Sequence, residues 1–586
     1  MKHVFPIILI YTLLYLASCA NQGSPSGGPR DTIPPTFISS SPTNKSLNYQ
    51  GQEFEFEFDE RINAEQLKAK LNITPLTEAK FSVLIKKNIM NLKFEEPFED
   101  STTYTFNFAD GVGDITEKNP VVNFTYAFST GPIIDSIYVK GTIRDLYNNE
   151  VQKEMLIAIF AIDDTLNLFT GKPRYFTTTD EEGNYIIENI KTGYYKIYCF
   201  DDDDNNLKCN PQKEKHGFKA DSLDLFTSRD SIDISIQLID ASEPKFVRAK
   251  NTGLYFDILY NKYIQDYSLS KLNTKSKKII PSNGFYKNNT IIRFYPDGSL
   301  RSEKDSLQVM VDAIDSLGNS LRDTVYVKFK ESRRKPEEFS FTIKPNSNST
   351  IDKLINFQID FTKPIKTINS DSLLISYDTI RYQKIPDSLF TWNNRKTKLT
   401  FRQTVNRNYI PEQVKLFLDN EHRLDSLAKL NADTTTRTLP NPQSNRLSLP
   451  KNQIILTVKS ASFLSIDGDS TELIERKYPF LKPEDTGKIS GLIQTEHQSY
   501  FFQLVDKNYN VIYQLDSPKE FIFSNVKPVS YSFRVLIDAN NDGIWSPGNI
   551  LKDIEPEPIW FYPKEHSDLK AGWERDLYED KDIIRF

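Results

Sequence analysis

Residues 54–62 read FEFEFDERI, with Phe54, Phe56 and Phe58 on alternate positions and Ile62 closing the run. A period of two puts the three rings on one side of a strand and Glu55 and Glu57 on the other, so the stretch predicts a strand with one buried face. The pattern occurs twice more. Phe256, Ile258, Tyr260 and Ile264 repeat it in FDILYNKYI, and Phe357, Ile359, Phe361 and Ile365 repeat it in FQIDFTKPI. Pro42 stands before the first copy at the spacing of Pro345 before the third. Later positions correspond as well: Leu92 and Phe94 to Ile292 and Phe294 and to Leu399 and Phe401, and Tyr104, Phe106 and Phe108 to Val309, Val311 and Ala313. Each copy is about 100 residues of short strands with turn signals between them, the pattern of a β-sandwich.

A second repeat lies between and after these copies. Asn189, Lys191, Tyr195, Asp202 and Pro211 recur without a gap as Asn525, Lys527, Tyr531, Asp538 and Pro547. Both copies are expected to open with a strand after a glycine, Gly141-Thr142-Ile143 in one and Gly491-Leu492-Ile493 in the other.

Composition agrees with an all-β chain of tandem β-sandwich domains. The 586 residues exceed what one hydrophobic core supports, and 39 Phe and 29 Tyr against 4 Met favour half-buried strands over helices. With 73 basic and 79 acidic residues and no basic block, a nucleic-acid partner is excluded from the expectation.

The 100-residue units resemble the bacterial Ig-like domains of cell envelopes. The second repeat, with DEEGNY at 180–185 followed by IENIKTGYYKIYCF, resembles the carboxypeptidase regulatory-like, transthyretin-like sandwich, which in that family is a non-catalytic companion module. These resemblances divide the chain into an Ig-like domain at 36–131, a transthyretin-like domain at 136–240, Ig-like domains at 241–335 and 336–486, and a second transthyretin-like domain with a C-terminal tail at 487–586. The third Ig-like copy carries a Pro, Asn and Thr-rich insertion at 425–450 that reads as a loop. Brief Pro-rich and charged links predict a semi-rigid rod. The tail from Ile559, with Trp560, Phe561, Tyr562 and Trp573, is read either as a docking patch or as the last strands of that sandwich.

Residues 1–18 carry Lys2, an apolar run too short to cross a bilayer, and small residues at the end, the form of a cleaved signal peptide. Leu16-Ala17-Ser18-Cys19 resembles the lipobox of bacterial lipoproteins, which makes Cys19 the lipidated residue and new N-terminus; a stray Cys after an ordinary signal is the other reading. Residues 19–35, rich in Gly, Pro and Ser, form a flexible tether. Ala20 fits outer-membrane sorting by resemblance, with the cell surface favoured over the periplasmic face.

Two acidic stretches occupy equivalent points of the second repeat. Asp538, Asn540 and Asp542 before Gly543 match the opening of a calcium loop, and the other copy offers Asp202, Asp204 and Asn206. The twelfth position of such a loop is Lys213 or Asn549 rather than Glu, and flanking helices are not expected, so calcium stands beside a reading as Asx-rich turns. No other cofactor is indicated. Cys199 and Cys209 flank the first stretch and form either a disulfide or two buried thiols.

No HExxH, GxSxG, GK[ST] or CxxC pattern is present, and the five His are scattered, so no enzyme and no small-molecule substrate are expected. The whole resembles lipoproteins of the Bacteroidota. That resemblance implies a non-enzymatic outer-membrane scaffold for protein contacts, accessory to a complex that assembles or exports envelope proteins. The alternative is a surface adhesin or glycan-binding lipoprotein, calcium-dependent if the acidic loops hold the ion.

Overall fold

A computed structural model describes residues 31–121, 124–162, 167–273, 277–300, 305–377, 381–406, 452–564, 567–577 and 583–586. The signal peptide at 1–18, Cys19, most of the 19–35 tether and the 425–450 insertion lie outside the described residues. Apart from the four-residue helix Leu67–Lys70 and short 3-10 turns, the regular structure described is strand. Mostly antiparallel sheets enclose five buried hydrophobic clusters. The chain divides into two compact units, the first ending at Gln237 and the second holding the chain from Leu238 on, with two short loops assigned across that border.

The three FEFEF-like stretches form equivalent strands. Glu53–Phe58 lies between Phe37–Ser41 and Ile89–Phe94, with Phe81–Lys86 outermost. Tyr255–Tyr260 lies between Phe246–Thr252 and Ile291–Phe294, and Leu354–Phe361 between Phe341–Lys344 and Lys398–Thr404. The repeated strands are neighbours in all three copies, with equivalent register in two: Phe256 faces Phe294 and Phe357 faces Phe401, whereas Phe54 faces Leu92, two residues out of step. In the first cluster the rings meet mostly edge to face, Phe54 touching Phe94, Phe98, Phe106 and Tyr126. Each such fully buried ring contributes on the order of 2–3 kcal/mol. A buried tyrosine satisfies its hydroxyl in the same way in two copies: Tyr126 donates to the Pro42 carbonyl at 3.0 Å and Tyr478 to that of Pro345 at 2.9 Å.

The second repeat also gives matched sheets. Ile137–Asp145 pairs antiparallel with Asn184–Ile190 and parallel with Ile234–Ile236; Gly487–Gln494 does so with Glu520–Val526 and Glu574–Asp576. Contrary to the sequence expectation, Gly141 and Gly491 do not precede these strands but lie inside them. Close approach is the reason. A Cβ on Gly141 would sit 2.2 Å from the Ile232 carbonyl oxygen, and one on Gly491 2.8 Å from the Phe521 ring. Part of the C-terminal aromatic segment forms strands, Ile559–Phe561 pairing with Ser530–Ile537 and Ile584–Arg585 with Gly487–Gln494, while Trp573 lies outside a strand and is half exposed.

One position distinguishes the three copies. Two residues beyond the last alternating ring stand Glu60, Lys262 and Lys363. Lys262 is buried and donates to Asp315 Oδ2 at 2.8 Å and to the carbonyls of Asp240 and Ser242. Lys363, also buried, meets Asp467 at 2.9 Å and Asp469 at 2.6 Å. Glu60 instead faces the carboxylates of Asp114, Asp31 and Asp59, and partial burial followed by that like charge raises its pKa. Substituting Lys262→Met leaves Asp315 buried without its cation and is expected to cost about 3–5 kcal/mol, whereas Glu60→Lys relieves repulsion and raises the melting temperature. Calorimetry on both variants checks the opposite signs.

Candidate functional site

The acidic loops follow strands Gly193–Phe200 and Ser530–Ile537, which the repeat places identically. Asn189 and Asn525 hold positive φ, 59° and 61°, at the bend before those strands. Tyr195 donates its hydroxyl to the Lys191 carbonyl and Tyr531 to that of Lys527, each at 2.8 Å, which fixes the strand's start. At the other end the loops close through matching side-chain acceptors. Asp202 accepts the N–H groups of Asn206 and Leu207 at 3.0 Å each; Asp538 accepts those of Asp542 at 3.2 Å and Gly543 at 2.8 Å. Asp204 and Asn540 each accept from the residue two further on, and so do Asn206 and Asp542. Each is an Asx turn, one inside the next. Positive φ recurs at Asn205 and Asn541 and at Leu207 and Gly543.

The electrostatics of the two loops differ. Burial and the neighbouring Asp204 carboxylate raise Asp202 despite its two N–H donors. The Ser499 hydroxyl, donating at 2.6 Å, leads the contacts that lower Asp538. Glu214, raised by burial and by Asp204, Asp202 and Asp203, accepts from Asn210 N–H at 2.6 Å. In the second loop Glu557 has that place and accepts from Ala539, Asn540 and Ser546 N–H groups. Sequence reasoning missed Glu557 because it lies beyond the span of a calcium loop. Among the described residues no three His, Cys, Asp or Glu side chains converge in the way a metal ion requires.

Cys199 and Cys209 are both buried, with no bond between them. Cys199 belongs to the hydrophobic cluster of its sandwich. Burial pushes both thiols up, which removes the reactive thiolate at neutral pH.

In the second unit the sandwiches are joined by buried charge that sequence reasoning did not single out. Arg293 makes a bidentate pair with Asp257 at 2.7 and 2.8 Å and reaches Glu337 at 2.7 Å. Its guanidinium lies over the rings of Tyr286 and Tyr255. Tyr255 donates to Asp467 at 2.5 Å, and Asp467 is the partner of Lys363. Arg395 meets Asp266 at 2.6 Å and stacks 4.0 Å above Tyr267. The last sandwich contacts the copy two places earlier: Asn549 donates to Asn319 Oδ1 at 2.8 Å and to the Leu317 carbonyl at 3.0 Å. Within the second unit, contacts therefore do not all follow chain order. The available signal was Asp257 opposite Arg293 on neighbouring strands, legible once register is assigned.

Residues 31–130 match the bacterial Ig-like domain family. No curated protein matches the chain. Among solved structures it is similar to the N-terminal part of the bacterial S-layer protein SbsC, at 11% identity and TM-score 0.14, over 28% of this chain and 40% of that one. It is similar to BcpA, the major pilin subunit of Bacillus cereus, at 9% identity and TM-score 0.12, over 77% and 98%. It is also similar to dimeric latent PorU from Porphyromonas gingivalis, at 6% identity and TM-score 0.21, over 58% and 36%. Scores at this level carry no inference about role.

Asp538→Ala removes an acceptor for two main-chain N–H groups and is expected to cost about 1–3 kcal/mol in chelator and in calcium alike. A loss confined to calcium-containing buffer would instead make the ion the reason for the loop. Native protein is expected to leave Cys199 and Cys209 unreacted with a thiol reagent at pH 8, and denatured protein to react at both, as absorbance titration would register.

Proposed function

We propose that the chain is a non-enzymatic, multidomain scaffold for protein contacts, anchored through lipid on Cys19 at the outer membrane and accessory to a complex that assembles or exports envelope proteins. The observation that carries this reading is the set of charge joints, buried at Arg293 and Lys363 and half-buried at Arg395, which hold neighbouring sandwiches of the second unit in fixed register. A fixed joint keeps a composite surface preformed, so a partner binding across sandwiches need not pay to order them. The Ig-like match over 31–130 and the all-β architecture support a contact role. The lipobox and tether of the sequence support the anchor.

Crosslinked affinity isolation from native membranes tests the reading. The wild-type chain is expected to bring down an outer-membrane protein in constant ratio, and recovery as a lone monomer in mild detergent would sink the proposal. Cys19→Ser is expected to move the chain from the membrane to the soluble fraction. Arg395→Ala, which removes one joint and leaves the sandwich cores intact, is expected to lower partner recovery several-fold without loss of the folded circular dichroism spectrum.

A further inference from the structure

Between the first two sandwiches of the first unit lies a cleft of about 730 Å³. Its lining follows two patterns. Asn72 and Thr74, Thr105 and Asn107, and Thr125 come from the three neighbouring strands Asn72–Thr74, Thr103–Asn107 and Thr125–Ser129, at alternate positions where a strand gives more than one. They are one face of that sheet, and they form an uncharged floor. The opposite side is lined by consecutive residues, 176–180 and 184–188. A strand showing its face contributes every second residue, so an unbroken run means that the strand presents its edge. Strands Tyr175–Thr178 and Asn184–Ile190 are indeed terminal in their sheets.

The free side of the first edge can be assigned. Thr179 donates to the Met155 carbonyl and accepts from Glu154 N–H, so its main chain points into its own sheet. Antiparallel alternation turns the main-chain groups of Thr178 and Phe176 the other way. On that same side the Arg174 carbonyl accepts the Leu76 N–H at 2.8 Å, from the segment that follows Asn72–Thr74. The first sandwich thus supplies one rung of strand addition, and the rungs at 176 and 178 have no main-chain partner outside their sheet among the described residues. Thr74 and Thr177 are each 7% exposed and line the cleft, with no hydrogen bond from either hydroxyl among the described residues. Of the ionisable groups in the lining, Lys140 pairs with Asp230 at 3.1 Å and Asp180 accepts N–H groups of its own turn; Glu188 is an exposed carboxylate on the second edge strand, not on the floor or on the edge of Tyr175–Thr178.

We propose that this cleft binds an extended, uncharged segment of a partner polypeptide, which adds as a strand to the edge of Tyr175–Thr178 while its hydroxyl or amide side chains meet the Thr and Asn floor. The proposal rests on the scaffold reading and names where contact is made. A run of five lining residues at about 3.3 Å each accepts a segment of about five to seven residues. Neutral saccharide is disfavoured, because the aromatic residues of the lining, Phe176 and Tyr185, are buried and offer no open ring for stacking.

The test uses the mature full-length chain and neutral heptapeptides that alternate Val with Thr or Ser, with their backbone N-methylated versions and neutral hexasaccharides as controls. Binding of the plain peptides is expected to slow amide exchange at Phe176 and Thr178 at least tenfold. Thr178→Pro removes the outward N–H and keeps the bonds of Thr179 to its sheet; Asn72→Arg puts charge on the floor without touching the edge. Each is expected to weaken binding at least tenfold while melting within a few degrees of wild type. Equal binding by both variants or by N-methylated peptides, protection by a hexasaccharide instead, or no protection by any peptide overturns the proposal. If Thr178→Pro still recovers the membrane partner at the wild-type ratio, the cleft assignment fails and the scaffold reading stands. If wild type recovers no partner yet binds peptide at the edge, the scaffold reading fails and the cleft stands.

Discussion

A cation removed from water must find its counter-charge in fixed geometry, and this requirement sets the seams of the second unit. Arg293 is held by two carboxylates from different segments, Asp257 on a neighbouring strand and Glu337 in the link that follows the sandwich. Any displacement of the link would leave a buried guanidinium short of a partner, at a cost of several kcal/mol. Lys363 imposes the same condition on Asp467 and Asp469, and Asp467 passes it to Tyr255 of the neighbouring copy. Hydrophobic burial makes each sandwich fold, since it is non-directional and needs only enough area. Directional charge contacts decide how folded sandwiches stand against one another.

The same division explains what could be read from sequence. Alternating rings at Phe54, Phe56 and Phe58 encode a strand and its buried face, because pleating has a period of two wherever it occurs. Repetition then encoded which strands are neighbours, though not their register: Leu92 and Phe94 were legible on the strand beside the first because Ile292 and Phe294, and Leu399 and Phe401, stand at matching points, yet Phe54 faces Leu92 where Phe256 faces Phe294. Gly141 and Gly491 were misplaced because a strand glycine resembles a boundary signal. What required them was a carbonyl in one case and a ring in the other, brought close from residues far along the chain. The joint at Arg395 was invisible for a related reason, as its partner Asp266 belongs to another sandwich, and the pair Asp257–Arg293 needed a register that the repeat did not fix.

The acidic loops show how one residue pattern can serve a fold before it serves a ligand. Asp202 and Asp538 each end a long central strand, where the chain must turn and several N–H groups lose their sheet partners. A carboxylate at that point accepts two of them, and residues at alternate positions take the next. This local demand accounts for Asp and Asn at every second position without reference to an ion. It also accounts for the tolerance of different charge in the two copies, where Asp202 is raised among carboxylates and Asp538 lowered beside a hydroxyl. What the twelve-residue template could not show was the supporting carboxylate, since Glu214 and Glu557 reach comparable N–H groups from different distances along the chain.

Open strand edges are the remaining constraint on a chain built of sandwiches, because each offers unpaired main-chain groups to any passing strand. Several edges here carry the charge that discourages such pairing: Phe81–Lys86 ends in a lysine, Tyr382–Lys384 ends in another, and Val511–Asp516 ends in an aspartate. Tyr175–Thr178 has no charged residue, and the sheet face across the cleft from it has none either. Its protection is positional, since the neighbouring sandwich covers the approach and occupies one rung through Leu76. An edge shielded by place and not by charge excludes bulky or folded competitors while leaving room for a thin extended segment. That is the physical basis on which a sandwich array can bind an extended segment selectively.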